Sequence, residues 1–325
     1  MTYFVGIDLG GTNIKAGVVS ENGELLNKLS IKTNADRSME EIIKDMGLLA
    51  KQAIEDAGIA QTDVSAIGIG SPGTPDNAAG TLVYATNLPF RNAPMRRIIR
   101  EVIDLPVYID NDANCAAMAE SVSGAAADVA DSVTITIGTG IGCGVIIGNR
   151  IFSGFNQAGS EFGHTVMVAG GRQCSCGRKG CFEAYASASA LASMTRDAAN
   201  EHADSSMGAM IEANDGVSNA RIAFDAMKNG DEVAAQVVDS YIEYLSEGLA
   251  NVINTFMPEV LLIGGGVCNE GDSLMVPLRE KTMSKPFFGP GVRKTEIRVA
   301  KMGNDAGIVG AAMMGKACFD DKLQG

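Results

Sequence analysis

The sequence lacks several features that would assign it to particular classes of protein. No apolar run approaches the roughly 20 residues that cross a bilayer, and the N-terminal MTYFVGIDLGG has no basic segment before a long apolar one. We therefore expect neither a transmembrane helix nor a secretory signal, and we expect a cytoplasmic location. Proline-rich linkers and low-complexity tails are also lacking.

Basic residues, cysteines and histidines are all scarce. The 26 Lys and Arg against 39 Asp and Glu give a net charge of −13. Without a basic stripe to neutralise phosphates, neither nucleic acid nor an anionic membrane is expected as the main partner. Seven cysteines in 325 residues are too few for a disulfide scaffold, and only two histidines are available for acid–base or metal chemistry.

The chain has the length and pattern of a two-domain α/β protein. Its 325 residues correspond to about two domains, and 46% of them are hydrophobic, enough for a large core. Strands alternate with helices along the chain, which is typical of the α/β class. Strands or hairpins are predicted at 3–20, 24–32, 64–70, 105–110, 132–152 and 260–267, a loop at 71–80, and helices at 38–58, 113–122, 183–200, within 201–218, at 231–258 and at 306–319.

Two stretches of the chain resemble each other. Shifted by 128 positions, the hairpin at 3–20 overlays the hairpin at 132–152. Each has an apolar strand, a glycine turn with one threonine, and a second apolar strand. This arrangement predicts two related halves.

Two glycine runs, at 8–15 and 138–142, are candidate phosphate-binding loops, and a third at 264–266 is a candidate floor for a nucleoside. Glycines let an anion approach the backbone closely, and successive N–H groups in a turn can bind it. The run at 8–15 is neither a Walker motif nor a Rossmann fingerprint, because a strand and not a helix is predicted to follow its glycines. Ordinary tight turns are the alternative interpretation of these runs. The candidate nucleotide contacts are Asp8, Gly10, Gly11, Thr12, Asn13, Lys15, Gly138, Thr139, Gly140, Gly265 and Gly266, of which Asp8 is the candidate for holding Mg²⁺.

The motif NDAN at 111–114 joins a predicted buried strand to a helix. Asp112 is a candidate general base for a sugar hydroxyl, and Asn111 is a candidate for fixing that hydroxyl. Asp112 is equally suited to be the N-cap of the helix, and both roles are compatible.

One histidine and three cysteines form the candidate metal site. His164, Cys174, Cys176 and Cys181 lie within 18 residues and suffice for a closed Cys₃His zinc site, which would be structural. A redox pair or solvent-exposed thiols are the alternatives. Glu161 and Glu183 flank this cluster and are candidates for gripping sugar hydroxyls, unless they are ordinary surface carboxylates.

Taken together, these motifs resemble the ROK family of repressors, open reading frames and sugar kinases. The resemblance covers essentially the whole chain and rests on DLGGTNIK at 8–15, NDAN at 111–114, IGTGIG at 137–142, GSEFGH at 159–164, CSCGRKGCFE at 174–183 and GGGV at 264–267. It implies a two-domain actin/hexokinase-like (ribonuclease H-like) ATPase fold that closes over its ligands. The expected domains are 1–112 with 300–325, and 113–299 with the zinc site.

The resemblance also implies an activity and roles for single residues. ATP with Mg²⁺ would phosphorylate a hexose or N-acetylhexosamine at the 6-hydroxyl, and the enzyme would be a homodimer. Asp112 matches the catalytic base of the family, and Thr12, Asn13, Lys15 and Thr139 match its phosphate contacts. The sugar contacts would be Gly73, Asn87, Asn111, Asp112, Glu161, His164 and Glu183, and the zinc ligands His164, Cys174, Cys176 and Cys181.

The choice of sugar rests on likeness to one branch of the family. NLPFRN at 87–92 and CSCGRKGCFEAYAS at 174–187 resemble the glucokinase branch, with N-acetylmannosamine or N-acetylglucosamine as the alternative acceptor. A transcriptional regulator is less expected, because only seven residues precede Asp8 where regulators carry a helix-turn-helix. A silent sugar-binding module is the third reading, against which Asp112 and the two phosphate loops argue.

Overall fold

A computed structural model of the protein describes residues 1–85 and 88–324. Asn87, one of the expected sugar contacts, lies outside the described residues. The strands are β1 (Tyr3–Leu9), β2 (Asn13–Ser20), β3 (Leu29–Lys32), β4 (Val64–Ser71), β5 (Thr74–Asp76), β6 (Thr81–Tyr84), β7 (Arg91–Ala93), β8 (Val107–Asn111), β9 (Ser132–Ile137), β10 (Ile141–Ile147), β11 (Arg150–Ile151), β12 (Val260–Gly264) and β13 (Glu296–Val299).

The helices follow most of the predicted segments. They are α1 (Met39–Asp56), α2 (Met95–Val102), α3 (Asp112–Ser123), α4 (Glu183–Ala186), α5 (Ala188–Glu201), α6 (Ser206–Ala213), α7 (Ala220–Lys228), α8 (Glu232–Phe256), α9 (Asp272–Met283) and α10 (Ala306–Gln324). Among the described residues, none of these helices combines the length and the apolar character needed to cross a membrane.

Local signals explain where several helices begin. Ser38 and Glu41 form the expected capping box of α1, in which each side chain bonds to the backbone of the other residue. Asp231 caps α8 by accepting from the backbone N–H of Ala234. The helix predicted at 183–200 is instead two helices, because Ser187 leaves the helical conformation and caps α5.

Two five-stranded sheets share one topology. Their orders are β3-β2-β1-β4-β8 and β11-β10-β9-β12-β13, so the third, second, first, fourth and fifth strands lie side by side in each. This confirms the internal repeat inferred from the two hairpins. The segment predicted as a loop at 71–80 contains β5, which pairs with β6 in a small third sheet with β7.

Contacts divide the chain into two compact units. The first unit contains Met1–Thr134, Gly144–Ser160 and the described residues from Ala300 onward, and the second contains Ile135–Cys143 and Glu161–Val299. The first unit therefore includes the C-terminal helix α10. It also includes 113–134 and 144–160, which the sequence-based boundaries assign to the other domain. Those domain boundaries stay a prediction.

In the first unit, α10 packs directly on strands and on α3. A Cβ atom at Gly68 would lie 1.8 Å from the carbonyl oxygen of Ala311, and one at Gly310 would lie 1.6 Å from the carbonyl oxygen of Cys115. These approaches are possible only for glycine. They hold α3, which carries Asp112 at its start, against α10.

Glu120 of α3 is a buried carboxylate that accepts hydrogen bonds from three backbone N–H groups. Its side chain is 2% exposed, and the N–H groups of Ala125, Lys301 and Met302 each lie 2.7 Å from its oxygens. It therefore ties α3 to the segment that leads into α10.

We expect Glu120→Ala to lower the free energy of unfolding by about 3 kcal/mol or more, because it leaves three backbone N–H groups without their acceptor. Urea unfolding followed by circular dichroism measures this. The control is Glu101→Ala on α2, where the exposed Glu101 pairs with Arg97 and a change within about 0.5 kcal/mol is expected. Equal losses in the two variants would contradict the role of Glu120.

Candidate active site

The predicted site residues of the first unit lie at one edge of its sheet. Strands β1, β4 and β8 are parallel, and their register places Asp8 beside Gly70 and Gly70 beside Asp110. Asp8 near the end of β1, Gly73 after β4 and Asp112 after β8 are consequently neighbours. The carboxyl ends of parallel strands are where ligands bind in α/β sheets.

Asn111 links two of these segments. Its Oδ1 accepts from the N–H of Ala113 at 2.8 Å, and its Nδ2 donates to the carbonyl oxygen of Gly73 at 3.3 Å. Gly73 has φ +100°, and a Cβ there would lie 2.1 Å from the carbonyl oxygen of Tyr84, so only glycine fits. The sequence reading of Asp112 as the helix N-cap is wrong, because Asn111 caps α3 and Asp112 is its first residue.

The carboxyl group of Asp112 has an unusual environment. Water reaches the side chain, while the surrounding protein raises the pKa of the carboxyl above 3.8 by desolvation. The negative charge of Asp8 raises this pKa further, and the hydrogen bond from the N–H of Ala113 at 2.9 Å opposes both. A carboxyl with a raised pKa is a stronger proton acceptor when ionised, as a general base requires.

The turn between β1 and β2 contains the other predicted residues of this unit. Gly10 donates to the carbonyl oxygen of Asn13 at 3.0 Å, while Gly11 and Thr12 are exposed. No heavy atom lies within 4 Å of a Cβ position at Gly11, so an anion can approach this backbone.

Asp8 and Lys15 form an ion pair across this hairpin. Lys15 Nζ lies 3.1 Å from Asp8 Oδ2, so each charge has a partner within the protein. The Asp8 carboxylate also lies against the first turn of α10, where a Cβ at Gly307 would come within 2.5 Å of its Cγ. Its oxygens are the donor type that Mg²⁺ prefers.

The second unit contains a cavity of about 660 Å³ beside the turn between β9 and β10. This volume lies in the range of small-molecule sites. The predicted residues Gly138, Thr139 and Gly266 line the cavity, together with Ile137, Ala188, Asn219, Ala220, Arg221, Asp225, Lys228, Val267, Asn269 and Glu270.

Two predicted nucleotide contacts of this unit lie outside the cavity lining. Gly140 faces Glu183, and Gly265 packs against the carbonyl oxygen of Ile137, which a Cβ would approach to 2.1 Å. Sequence patterns did not indicate that residues of α7 and those after Gly266 line the cavity. The one available signal was Asn219, which caps α7 by accepting from the N–H groups of Arg221 and Ile222.

His164, Cys174, Cys176 and Cys181 come together as predicted. Their potential ligand atoms all lie within 4.8 Å of one another. Cys174 Sγ is 3.7 Å from His164 Nδ1, and Cys176 Sγ is 3.7 Å from Cys181 Sγ. Sulfurs bound at about 2.3 Å to a tetrahedral zinc lie about 3.8 Å apart, so this donor set fits zinc.

Glu161 and Glu183 flank this cluster in the sequence, and both belong to the second unit. Glu161 is exposed and precedes the short 3₁₀ turn Phe162–His164. Burial of the Cys143 thiol, together with the negative charge of Glu161, raises the pKa of Cys143 to about 12. Glu183 begins α4, and both of its oxygens accept hydrogen bonds. Ile141 N donates to Oε2 at 2.9 Å, and Ser175 Oγ donates to Oε1 at 3.0 Å.

Comparison with known proteins identifies relatives along nearly the entire chain. A glucokinase of Halalkalibacterium halodurans is 34% identical over 317 residues, which cover 97% of this chain and 95% of the relative. The crystal structure of a ROK hexokinase from Thermus thermophilus is 34% identical with a TM-score of 0.84, covering 98% of this chain and all of the other.

A third relative is a ROK family glucokinase from Streptomyces griseus, solved in complex with glucose and AMPPNP. It is 33% identical with a TM-score of 0.79, and the match covers 97% of this chain and 99% of that one. These structures confirm the actin/hexokinase-like ATPase fold. The family model described as ROK matches residues 4–317, and the chain therefore belongs to the ROK family.

Proposed function

We propose that the protein is a sugar kinase that transfers the γ-phosphoryl group of ATP to the 6-hydroxyl of a hexose, with glucose as the preferred acceptor. The observation that carries this proposal is the carboxyl of Asp112, which has a raised pKa and follows Asn111 at the ligand-binding edge of a parallel sheet. The similarity to glucokinases over nearly the full chain supports it.

In the first unit, Asp112 would take the proton of the attacking hydroxyl. Ionised, it can accept that proton as the oxygen attacks phosphorus, and Asn111 and Gly73 would fix the sugar beside it. Thr12, Asn13 and the N–H group of Gly11 would contact phosphate oxygens, while Gly10 closes the turn through its bond to Asn13. Mg²⁺ bound by Asp8 would neutralise charge on the phosphates.

In the second unit, the cavity beside Gly138 and Thr139 would hold the nucleotide, with Gly266 at its floor. Glu161 and Glu183 would accept hydrogen bonds from sugar hydroxyls. His164 directs Nδ1 toward Cys174, which leaves Nε2 on the other side of the ring. With Nδ1 on zinc, Nε2 carries the proton and would donate to a sugar hydroxyl.

A panel of sugars tests this proposal. Purified protein with MgATP is offered glucose, fructose, mannose, N-acetylglucosamine and N-acetylmannosamine, ADP release is followed, and NMR locates the new phosphate ester. We expect kcat/KM for glucose to exceed the others by about tenfold or more, the range that single substituent differences supply. A preference for an N-acetylhexosamine would establish the alternative acceptor, and no ADP release with any sugar would contradict the proposal.

A further inference from the structure

Glu183 connects two loops of the second unit, one at the candidate zinc site and one at the candidate nucleotide cavity. The Cys loop (Cys174–Cys181) contains three of the four candidate zinc ligands. The β9–β10 turn (Gly138–Gly140) borders the nucleotide cavity. One carboxylate oxygen accepts from Ser175 Oγ in the Cys loop, and the other accepts from Ile141 N directly after the turn.

On the turn side, the Glu183 carboxylate lies directly beside the backbone of Gly140. A Cβ at Gly140 would lie 2.3 Å from Glu183 Oε2, so the carboxylate rests against the backbone of the turn. The other end of the turn is held by Ala188 of α5, whose N–H donates to the carbonyl oxygen of Gly138 at 2.9 Å. The turn is thus fixed from both sides by the segment that follows Cys181.

The contact on the Cys-loop side depends on a loop with little apolar support. Ser175 and Cys176 are exposed. Within the loop, the Cys174 N–H donates to the carbonyl oxygen of Arg178, and the Gly177 N–H donates to that of Cys174. A metal ion bound to Cys174 and Cys176 would fix Ser175, which lies between them in the chain.

We propose that Ser175 is a positioning residue and that Glu183 transmits the order of the Cys loop to the β9–β10 turn, so that the Cys loop controls nucleotide affinity. By linkage, nucleotide binding then raises the equilibrium constant for ordering of the Cys loop by the same factor. This inference rests on the proposed nucleotide site, and it gives Glu183 a role in addition to contact with sugar.

The test is nucleotide affinity without sugar. The Kd of AMPPNP with Mg²⁺ is measured by calorimetry on zinc-loaded protein. We expect Ser175→Ala and Glu183→Ala to raise this Kd by about fivefold or more, the low end of coupling between sites. Glu183→Gln keeps an acceptor for Ile141 N and a group that can bond to Ser175, so we expect its Kd to stay within about twofold.

Controls separate this role from others. Ser284→Ala removes an exposed hydroxyl that donates to Lys281 at the end of α9, and it should change neither Kd nor zinc content. Zinc content and thermal midpoint of Ser175→Ala should match the unsubstituted protein. Unchanged nucleotide Kd in both Ser175→Ala and Glu183→Ala would overturn the inference. Absence of nucleotide binding in the unsubstituted protein would overturn the proposed function itself.

Discussion

Replacing Asp112 by asparagine is expected to lower kcat by about 10²–10⁴-fold, the range that a positioned general base supplies. Asparagine keeps an oxygen for the N–H of Ala113, which Asp112 Oδ1 accepts at 2.9 Å, so the start of α3 should not change. It cannot take up the proton of the hydroxyl. Steady-state kinetics with the best sugar of the panel and MgATP measure the loss.

Binding measurements show whether the loss belongs to the chemical step. The Kd for sugar and for AMPPNP should stay within about threefold in Asp112→Asn and in Asp112→Ala, because an interaction made only in the transition state affects kcat. Asp104→Asn, an exposed carboxylate paired with Arg100, is the control and should keep full activity. An Asp112 variant with normal kcat would mean that another group is the base.

The same carboxyl should set the acid side of the pH profile. The pKa of Asp112 is raised by desolvation and by the charge of Asp8, and the base works only when ionised. kcat/KM should therefore fall as the pH drops through a pKa above the ordinary 3.8. In Asp112→Asn this limb should disappear, and a limb that persists unchanged would assign it to a different group.

Local sequence signals predicted those parts of the site that neighbouring residues build. NDAN could be located at a strand end because the strand and helix patterns on its two sides are clear. The four candidate zinc ligands could be grouped because they lie within 18 residues, and the structure brings them together. Hairpin alternation and glycine turns likewise predicted the repeat that the two sheets display.

Interactions between distant segments could not be predicted in this way. Glu183 bonds to Ile141, 42 positions earlier, and Glu120 bonds to Lys301, 181 positions later. No periodicity or spacing encodes such pairs, because they depend on how helices pack. The same limit applies to the cavity beside the β9–β10 turn, where α7 residues such as Arg221 come close to Gly138 only after folding. Asn111 is the N-cap of α3, where Asp112 was predicted. Asn and Asp are about equally favoured at this position, so propensity cannot distinguish between the two neighbours.

Loss of the metal site should have the second large effect. We expect purified protein to contain about one zinc ion per chain, held by His164 and three thiolates. Cys176→Ser should remove it, because a serine hydroxyl stays protonated where a thiolate would bind, and elemental analysis measures the loss. Cys318→Ser in the first unit lies outside the cluster and should keep the full zinc content.

The consequences of zinc loss should be visible before any assay of activity. The exposed Arg172, Arg178 and Lys179 lie in or beside the Cys loop, so loss of the metal should make this segment a preferred site of tryptic cleavage. His164 would lose the metal ion that fixes its proton on Nε2. The Kd for sugar should then rise about tenfold or more, comparable to the effect on metal affinity or activity when groups around metal-bound histidines are removed. Metal-free protein with an intact Cys loop and unchanged sugar affinity would show that these four residues do not need zinc. Protection of the loop by zinc alone, without nucleotide or sugar, would show that the metal stabilises the fold of this segment.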